Sequence, residues 1–236
     1  MNTLKNPEQR AYGDIITINV DVQNDFALPT GKLSVNEGET VVEPLNDIND
    51  WTRANGGLVV FTADNHPEQT AHFAAYGGVW PEHCVAGTPG AELHNNLIKT
   101  PEDLIAYKGT GTIDDGYSGT EAKPVYPGFP DSQKTVGDIV TGVEHFTDAS
   151  RERLLVLVGG LATDYCVKAT VLDALELTDR KKTDVILLRD AIRAVNINPT
   201  DGDEAIKAML EAGALAMTTE EILRGGIQID ASRLER

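Results

Sequence analysis

Short apolar runs alternate with stretches of helical periodicity along most of the chain. Ile15-Ile16-Thr17-Ile18-Asn19-Val20 is brief and β-branched, which predicts a strand. Between Glu39 and Ala54, Val41, Val42, Leu45 and Ile48 recur at helical spacing, and the pattern stops before Gly56-Gly57, so a helix is expected there. Leu58–Thr62 and Leu104–Tyr107 predict a second and a third strand. Arg153–Val158 is almost wholly aliphatic and ends at Gly159-Gly160, which predicts a fourth. Asp164–Leu177 gathers Val167, Val171, Ala174 and Leu175 on one helical face. Asp184–Leu188 then predicts a strand, Asp203–Glu211 a helix and Ala214–Met217 a sixth strand. Strands separated by helices are βαβ units, so the chain reads as α/β, with a mainly parallel sheet of about six strands and right-handed crossovers.

Composition adds limits to that picture. The segment 120–148 is rich in Gly, Pro and Asp and has too few apolar residues for a core of its own, so it reads as a loop insertion. Residues from about Arg224 onward read as a surface tail. The 236 residues therefore form one domain, 1–236. Hydrophobic residues at 41% and charged residues at 24% are globular values and exclude a disordered chain. A net charge of −17 repels phosphate backbones and anionic membrane surfaces, which excludes nucleic-acid and membrane partners. No stretch reaches the ~18 apolar residues of a membrane span, and Met1 to Arg10 holds no signal-peptide core. Cys84 and Cys166 lie in unlike contexts, so a reduced, cytoplasmic setting is expected rather than a disulfide framework.

In open parallel sheets ligands bind beyond the carboxyl ends of the strands. The residues that follow the predicted strands there are Asp21, Asp64-Asn65-His66, Lys108, and a Gly160-to-Cys166 loop leading into a helix. Cys166 at a helix start, near the Lys108 ammonium, favours the reactive thiolate. Asp21 could take the thiol proton and return it to a leaving group. Taken singly, Cys166 reads as a small buried apolar residue, and Asp21 and Lys108 as solvated loop charges; it is their convergence on one rim that points to nucleophilic chemistry. Asp64 and His66, two apart in extended backbone, point the same way and can share an ion. His72 and His83 would close such a site, whose ligand set suits Zn, Fe or Mn. His94 and His145 read as surface residues, and Cys84 as buried apolar rather than a soft ligand.

Asp21-Val22-Gln23-Asn24-Asp25-Phe26 followed by Gly31-Lys32-Leu33 resembles the opening signature of the isochorismatase-like cysteine hydrolases. Asp64-Asn65-His66-Pro67, Trp80-Pro81-Glu82-His83-Cys84, Tyr107-Lys108-Gly109 and the run from Gly160 to Val167 are similar to the nicotinamidase (pyrazinamidase) branch. The likeness runs from about Ile15 to Met217. It implies a three-layer αβα fold and a catalytic triad of Asp21, Lys108 and Cys166. It implies one divalent transition metal, zinc as first choice, on Asp64, His66, His83 and, with variable spacing in the family, His72. Phe26, Trp80, Tyr117 and Tyr165 would line the substrate pocket. A cis peptide before Ala162 would aim the N–H groups of Ala162 and Cys166 at an oxyanion. The implied activity is hydrolysis of nicotinamide, and of pyrazinamide, through a cysteine thioester in NAD salvage. Two departures touch pocket size and subunit contacts: Thr120 stands where the family often has an aromatic, and 120–148 is long. A homo-oligomer is compatible with the sequence and not specified by it.

Three rival readings remain. A metal-free relative acting on an N-carbamoyl or ureido amide would share the triad but not need Asp64, His66 and His83. An isochorismate-type ether hydrolase uses no cysteine nucleophile. A non-enzymatic metal-binding or thiol-sensing protein would not need Asp21 and Lys108 at separate strand ends.

Overall fold

The protein is described by a computed structural model over residues 11–113, 116–125, 133–146 and 153–229. In chain order the strands and helices are β1 (Ala11–Val20), α1 (Asn24–Ala27), α2 (Val42–Ala54), β2 (Leu58–Asp64), β3 (Leu104–Lys108) and β4 (Lys123–Pro124). Then come α3 (Val136–Phe146), β5 (Arg153–Leu161), α4 (Lys168–Leu177), β6 (Thr183–Arg193), α5 (Asp201–Ala212), β7 (Leu215–Met217), α6 (Thr219–Glu221) and β8 (Gln228–Ile229). The sheet order is β4-β3-β2-β1-β5-β6-β7. Every pairing is parallel except that of β4 with β3. All six strands expected from the sequence are present.

Three layers follow from the alternation of side chains along the strands. Ile16, Ile18, Val156 and Val158 face one way, onto Val136 and Val140 of α3, Val171 and Ala174 of α4 and Met209 of α5. Ile15, Val59, Phe61, Leu155 and Leu157 face the other way, onto Leu45 and Ile48 of α2 and Ile222 beyond α6. On that second face two polar strand residues are matched by α2. Thr17 Oγ1 lies 2.7 Å from Thr52 Oγ1, and Asn19 exchanges two 3.0 Å amide hydrogen bonds with Asn49. Buried polar groups are tolerated when paired in this way.

Two sequence readings need correction. The segment 120–148, read as a loop, carries β4 and the 11-residue helix α3. Val136, Ile139, Val140 and Val143 sit at i, i+3, i+4 and i+7, a helical stripe diluted in sequence by Gly137, Asp138 and Gly142. The tail from 224 is not all surface: Ile227 is buried, and β8 pairs Gln228 and Ile229 with Ala11 and Tyr12. β8 fits because β2 first pairs with β1 at Ile16, which leaves the start of β1 open on that side. Residues 126–132, 147–152 and 230–236 lie outside the described residues.

Candidate active site

Four strand ends meet at the carboxyl edge of the sheet. Asp21 follows β1 in the left-handed region, φ 49°, a conformation that non-glycine residues seldom adopt away from functional sites. Its carboxylate is fully buried; Oδ1 accepts a 2.7 Å bond from Thr62 Oγ1, and Oδ2 lies 2.8 Å from Lys108 Nζ. Lys108 closes β3 in register with Asp64, the last residue of β2. Its ammonium lies 2.5 Å from Asp64 Oδ1 and 3.6 Å from Cys166 Sγ, and donates to the Gly116 carbonyl. One buried cation thus faces two carboxylates and a thiol.

The Cys166 segment depends on close backbone approach. Gly160 has φ 123°, and a Cβ there would fall 2.1 Å from the Val20 carbonyl oxygen, so only glycine lets β5 pass β1. The Leu161–Ala162 peptide is cis. Thr163–Val167 forms a π-type turn, with the Val167 N–H bonded to the Ala162 carbonyl at 3.1 Å. Regular helix therefore starts at Lys168, four residues beyond the predicted Asp164. Such single wide turns recur at functional sites.

The charges in this cluster set each other's ionisation. Burial, helped by Asp64, raises the Asp21 carboxyl to about 6 in spite of Lys108. Burial also opposes the charge on Asp64, but Lys108 and His66 outweigh it and hold that carboxyl below the usual range. Lys108 stays charged: burial works against the ammonium, and Asp21 and Asp64 overcome it. Burial pushes the Cys166 thiol well up, Lys108 pulls it down, and Asp21 and Asp64 add to the rise. Burial thus works against the thiolate that the helix start and Lys108 favour. Desolvation and two carboxylates outweigh one ammonium.

Three imidazoles adjoin Asp64. The ligand nitrogens of His66, His72 and His83 lie within 4.8 Å of one another. His66 Nδ1 donates to the Gly109 carbonyl at 2.9 Å, and His83 Nδ1 to the Pro81 carbonyl at 2.7 Å. A carbonyl only accepts, so each Nδ1 carries the proton and each Nε2 offers a lone pair. His66 Nε2 is buried without a hydrogen-bond partner and sits 3.6 Å from Asp64 Oδ2. Burial and the neighbouring His66 and His83 hold His72 down to about 4, and burial likewise lowers His83, so both stay neutral. A buried orphan nitrogen, two fixed tautomers and a carboxylate fit a divalent transition metal. Gly109 has φ 62°, and a Cβ there would stand 2.5 Å from His66 Cε1, so glycine is required beside this ring.

Next to both groups is a cavity of about 370 Å³ including its mouth. Its lining includes Phe26, Leu33, Trp80, Tyr117, Tyr165 and Val195, with Asp64, His72 and His83 on one part and Ala162 and Cys166 on another. Trp80 meets Tyr165 edge-on at 4.8 Å, and Trp80 Nε1 donates to the Tyr117 hydroxyl at 2.9 Å. A flat aromatic amide matches such a wall, with its carbonyl carbon toward sulfur.

Known proteins are similar to this chain in sequence and fold. The isochorismatase-domain profile matches residues 16–113. A nicotinamidase of Escherichia coli (strain K12) is 36% identical over 217 residues, 84% of this chain and 92% of that one. The chain belongs to the nicotinamidase branch of the isochorismatase-like hydrolases. A Pyrococcus horikoshii pyrazinamidase solved in complex with zinc superposes with a TM-score of 0.70 at 33% identity, over 86% of this chain and 98% of that one. PnC1 from L. infantum, solved in complex with nicotinate, gives 0.68 at 28% identity, over 92% and 96%.

Against the nicotinamidase pattern, the residues expected at the site are all brought together: Asp21, Lys108 and Cys166; Asp64, His66, His72 and His83; Phe26, Trp80, Tyr117 and Tyr165; and Ala162 beside Cys166. His94 is corrected: it is buried, with Nε2 3.4 Å from Glu39 Oε1, because the chain after β2 folds back over α2. The His145 side chain lies outside the described residues. Cys84 is buried in the core and stands outside the cluster of His66, His72 and His83. Thr120, at the family's aromatic position, is buried and bonded to Ser118 Oγ at 2.8 Å rather than lining the cavity. Sequence reasoning missed Thr62 and the role of Gln23. Thr62 stands two before Asp64 on the same strand face, which was a readable signal. Gln23 bonds both the N–H and the carbonyl of Asp64, at 2.8 and 2.7 Å, and so fixes that residue's backbone. Asp64 lies 41 residues away, beyond any local pattern.

Proposed function

We propose that the protein hydrolyses nicotinamide to nicotinate and ammonia, and pyrazinamide likewise, with Cys166 as nucleophile. The observation that carries this reading is one buried lysine in contact with Asp21, Asp64 and the Cys166 sulfur, beside an aromatic cavity and a three-histidine cluster. The family membership agrees with it. Asp64, His66, His72 and His83 would hold the metal, zinc as first choice, whose chemistry there is to offer the pyridine ring nitrogen a Lewis-acid anchor.

The protein residues carry the covalent steps. Cys166 gives its proton to Asp21 as sulfur bonds to the amide carbon. Lys108 neutralises the carboxylates that would otherwise repel the forming thiolate. The N–H groups of Ala162 and Cys166 would receive the oxyanion. Asp21 then passes the proton to the departing nitrogen, the C–N bond breaks, and ammonia leaves a nicotinoyl thioester. Asp21 next takes a proton from water as the water oxygen bonds to the thioester carbon. The C–S bond breaks, sulfur recovers that proton from Asp21, and nicotinic acid departs and gives its carboxyl proton to solvent to become nicotinate. Trp80, Tyr117 and Tyr165 line the cavity and would orient the flat ring within it.

The metal-free N-carbamoyl amidase reading is disfavoured by the orphaned His66 Nε2, which such an enzyme would have no reason to bury. The deciding test is ammonia and nicotinate release by purified protein, with elemental analysis of the same sample. Turnover of nicotinamide with about one transition metal per chain supports the reading. Activity on an N-carbamoyl amide alone, in metal-free protein, refutes it.

A further inference from the structure

One buried carboxylate that the hydrolytic steps do not use receives donors from two separate segments of the cavity wall. Asp25, in α1, accepts the Lys32 backbone N–H through Oδ1 at 3.1 Å and the Cys84 backbone N–H through Oδ2 at 2.7 Å. Lys32 precedes Leu33 and Cys84 follows His83, and Leu33 and His83 both line the cavity. Cys84 is held at φ 45°, a conformation that needs outside support in a non-glycine residue. The packing around Asp25 leaves no slack: a Cβ on Gly90 would stand 2.2 Å from Oδ2. Outside, the Lys32–Glu82 ion pair joins the same two segments, but both side chains are about half exposed, so solvent screens it.

We propose that Asp25 is the positioning residue that fixes His83 for metal binding and sets the cavity wall between Leu33 and His83. The proposal rests on the amidohydrolase reading above, with zinc as the ion. Asp25 touches neither substrate nor reacting atoms; it acts through the Cys84 N–H and hence on the adjoining imidazole. A carboxylate presents acceptors to both N–H groups, whereas an amide presents one acceptor and one NH₂. Asp25→Asn therefore sets a donor against a buried donor and releases one of the two segments. Asp21 and Lys108 stand at strand ends and Cys166 in the turn after β5, none of them bonded to Asp25, so the nucleophile should be unaffected.

The experiment measures three quantities on Asp25→Asn and wild type. These are zinc affinity by competition with a chromogenic chelator, KM and kcat for nicotinamide with saturating zinc, and the rate of iodoacetamide alkylation of Cys166 in zinc-free protein. Zinc affinity should fall at least tenfold and KM rise at least tenfold, with kcat within threefold and alkylation within twofold of wild type. Glu82→Gln, which removes only the outer pair, should leave all three within twofold. Should Asp25→Asn not fold, Asp25→Ser keeps one acceptor in less space and is read the same way. Zinc affinity and KM within twofold of wild type would overturn the proposal. So would a parallel loss of zinc affinity, turnover and alkylation, or an equal effect of Glu82→Gln. Wild-type protein that binds zinc but releases no ammonia would refute the amidohydrolase reading alone, because the zinc arm still decides the role of Asp25.

Discussion

Lys108 carries the largest electrostatic load of any single residue in the site. It is the one cation against two carboxylates and a thiol that burial already pushes up. Lys108→Met removes the group that lowers the Cys166 thiol, so the midpoint of its alkylation by iodoacetamide should move to higher pH by at least about one unit. An unchanged alkylation profile would contradict the 3.6 Å contact as a functional one. Asp21 sets the acid side of the rate profile. Its carboxyl is raised to about 6 and it must be ionised to accept the thiol proton, so kcat/KM should climb as pH rises through about 6 and level off above it. Asp21→Asn should erase that limb together with turnover. A wild-type profile already flat from pH 5 upward would contradict the assignment.

At the scale of elements, the site is made by where strands stop. Asp21, Asp64 and Lys108 were legible in the sequence because each follows or closes an apolar run, and a parallel sheet puts such ends on one rim. The turn before α4 was less legible: the helical stripe of Val167, Val171 and Ala174 runs back without a break, and nothing in it announces a π-type turn over Thr163–Val167. Helix α3 was missed because Val136, Ile139, Val140 and Val143 lie among glycines and an aspartate, where composition outweighed periodicity. His94 was misread because burial by a distant segment leaves no local trace. The β5-to-α4 passage yields a stability prediction. Gly160→Ala places a methyl against the Val20 carbonyl at a backbone angle that alanine resists. It should cost at least about 2 kcal/mol, near 4–8 °C in Tm for a chain of this size. Calorimetry finding Tm within 1 °C of wild type would contradict the close approach.

Over the whole molecule, a strongly acidic chain still gathers one buried lysine and three imidazoles at a single edge. No helix among the described residues is long and apolar enough to cross a membrane. The metal set joins Asp64 at the end of β2 to His66, His72 and His83 in the chain that follows it, so occupancy should stabilise the fold. Free zinc at a hundred times its Kd adds about 2.7 kcal/mol to the native state. Chelation should therefore lower Tm by roughly 5–10 °C. It should raise KM for nicotinamide while leaving Cys166 open to alkylation, because an anchor used equally in ground and transition states supports binding rather than turnover. Loss of kcat with KM unchanged would contradict the anchoring role.

The central claim is that the Cys166 sulfur attacks the amide. The most direct measurement is the rate of ammonia release from nicotinamide by Cys166→Ala beside wild type, both zinc-loaded and both folded by circular dichroism. Alanine keeps the small apolar volume and removes the nucleophile, so the rate should fall by about 10³-fold or more. A variant that keeps more than about a tenth of wild-type turnover, a loss under ~1.4 kcal/mol of transition-state stabilisation, would contradict covalent catalysis at Cys166.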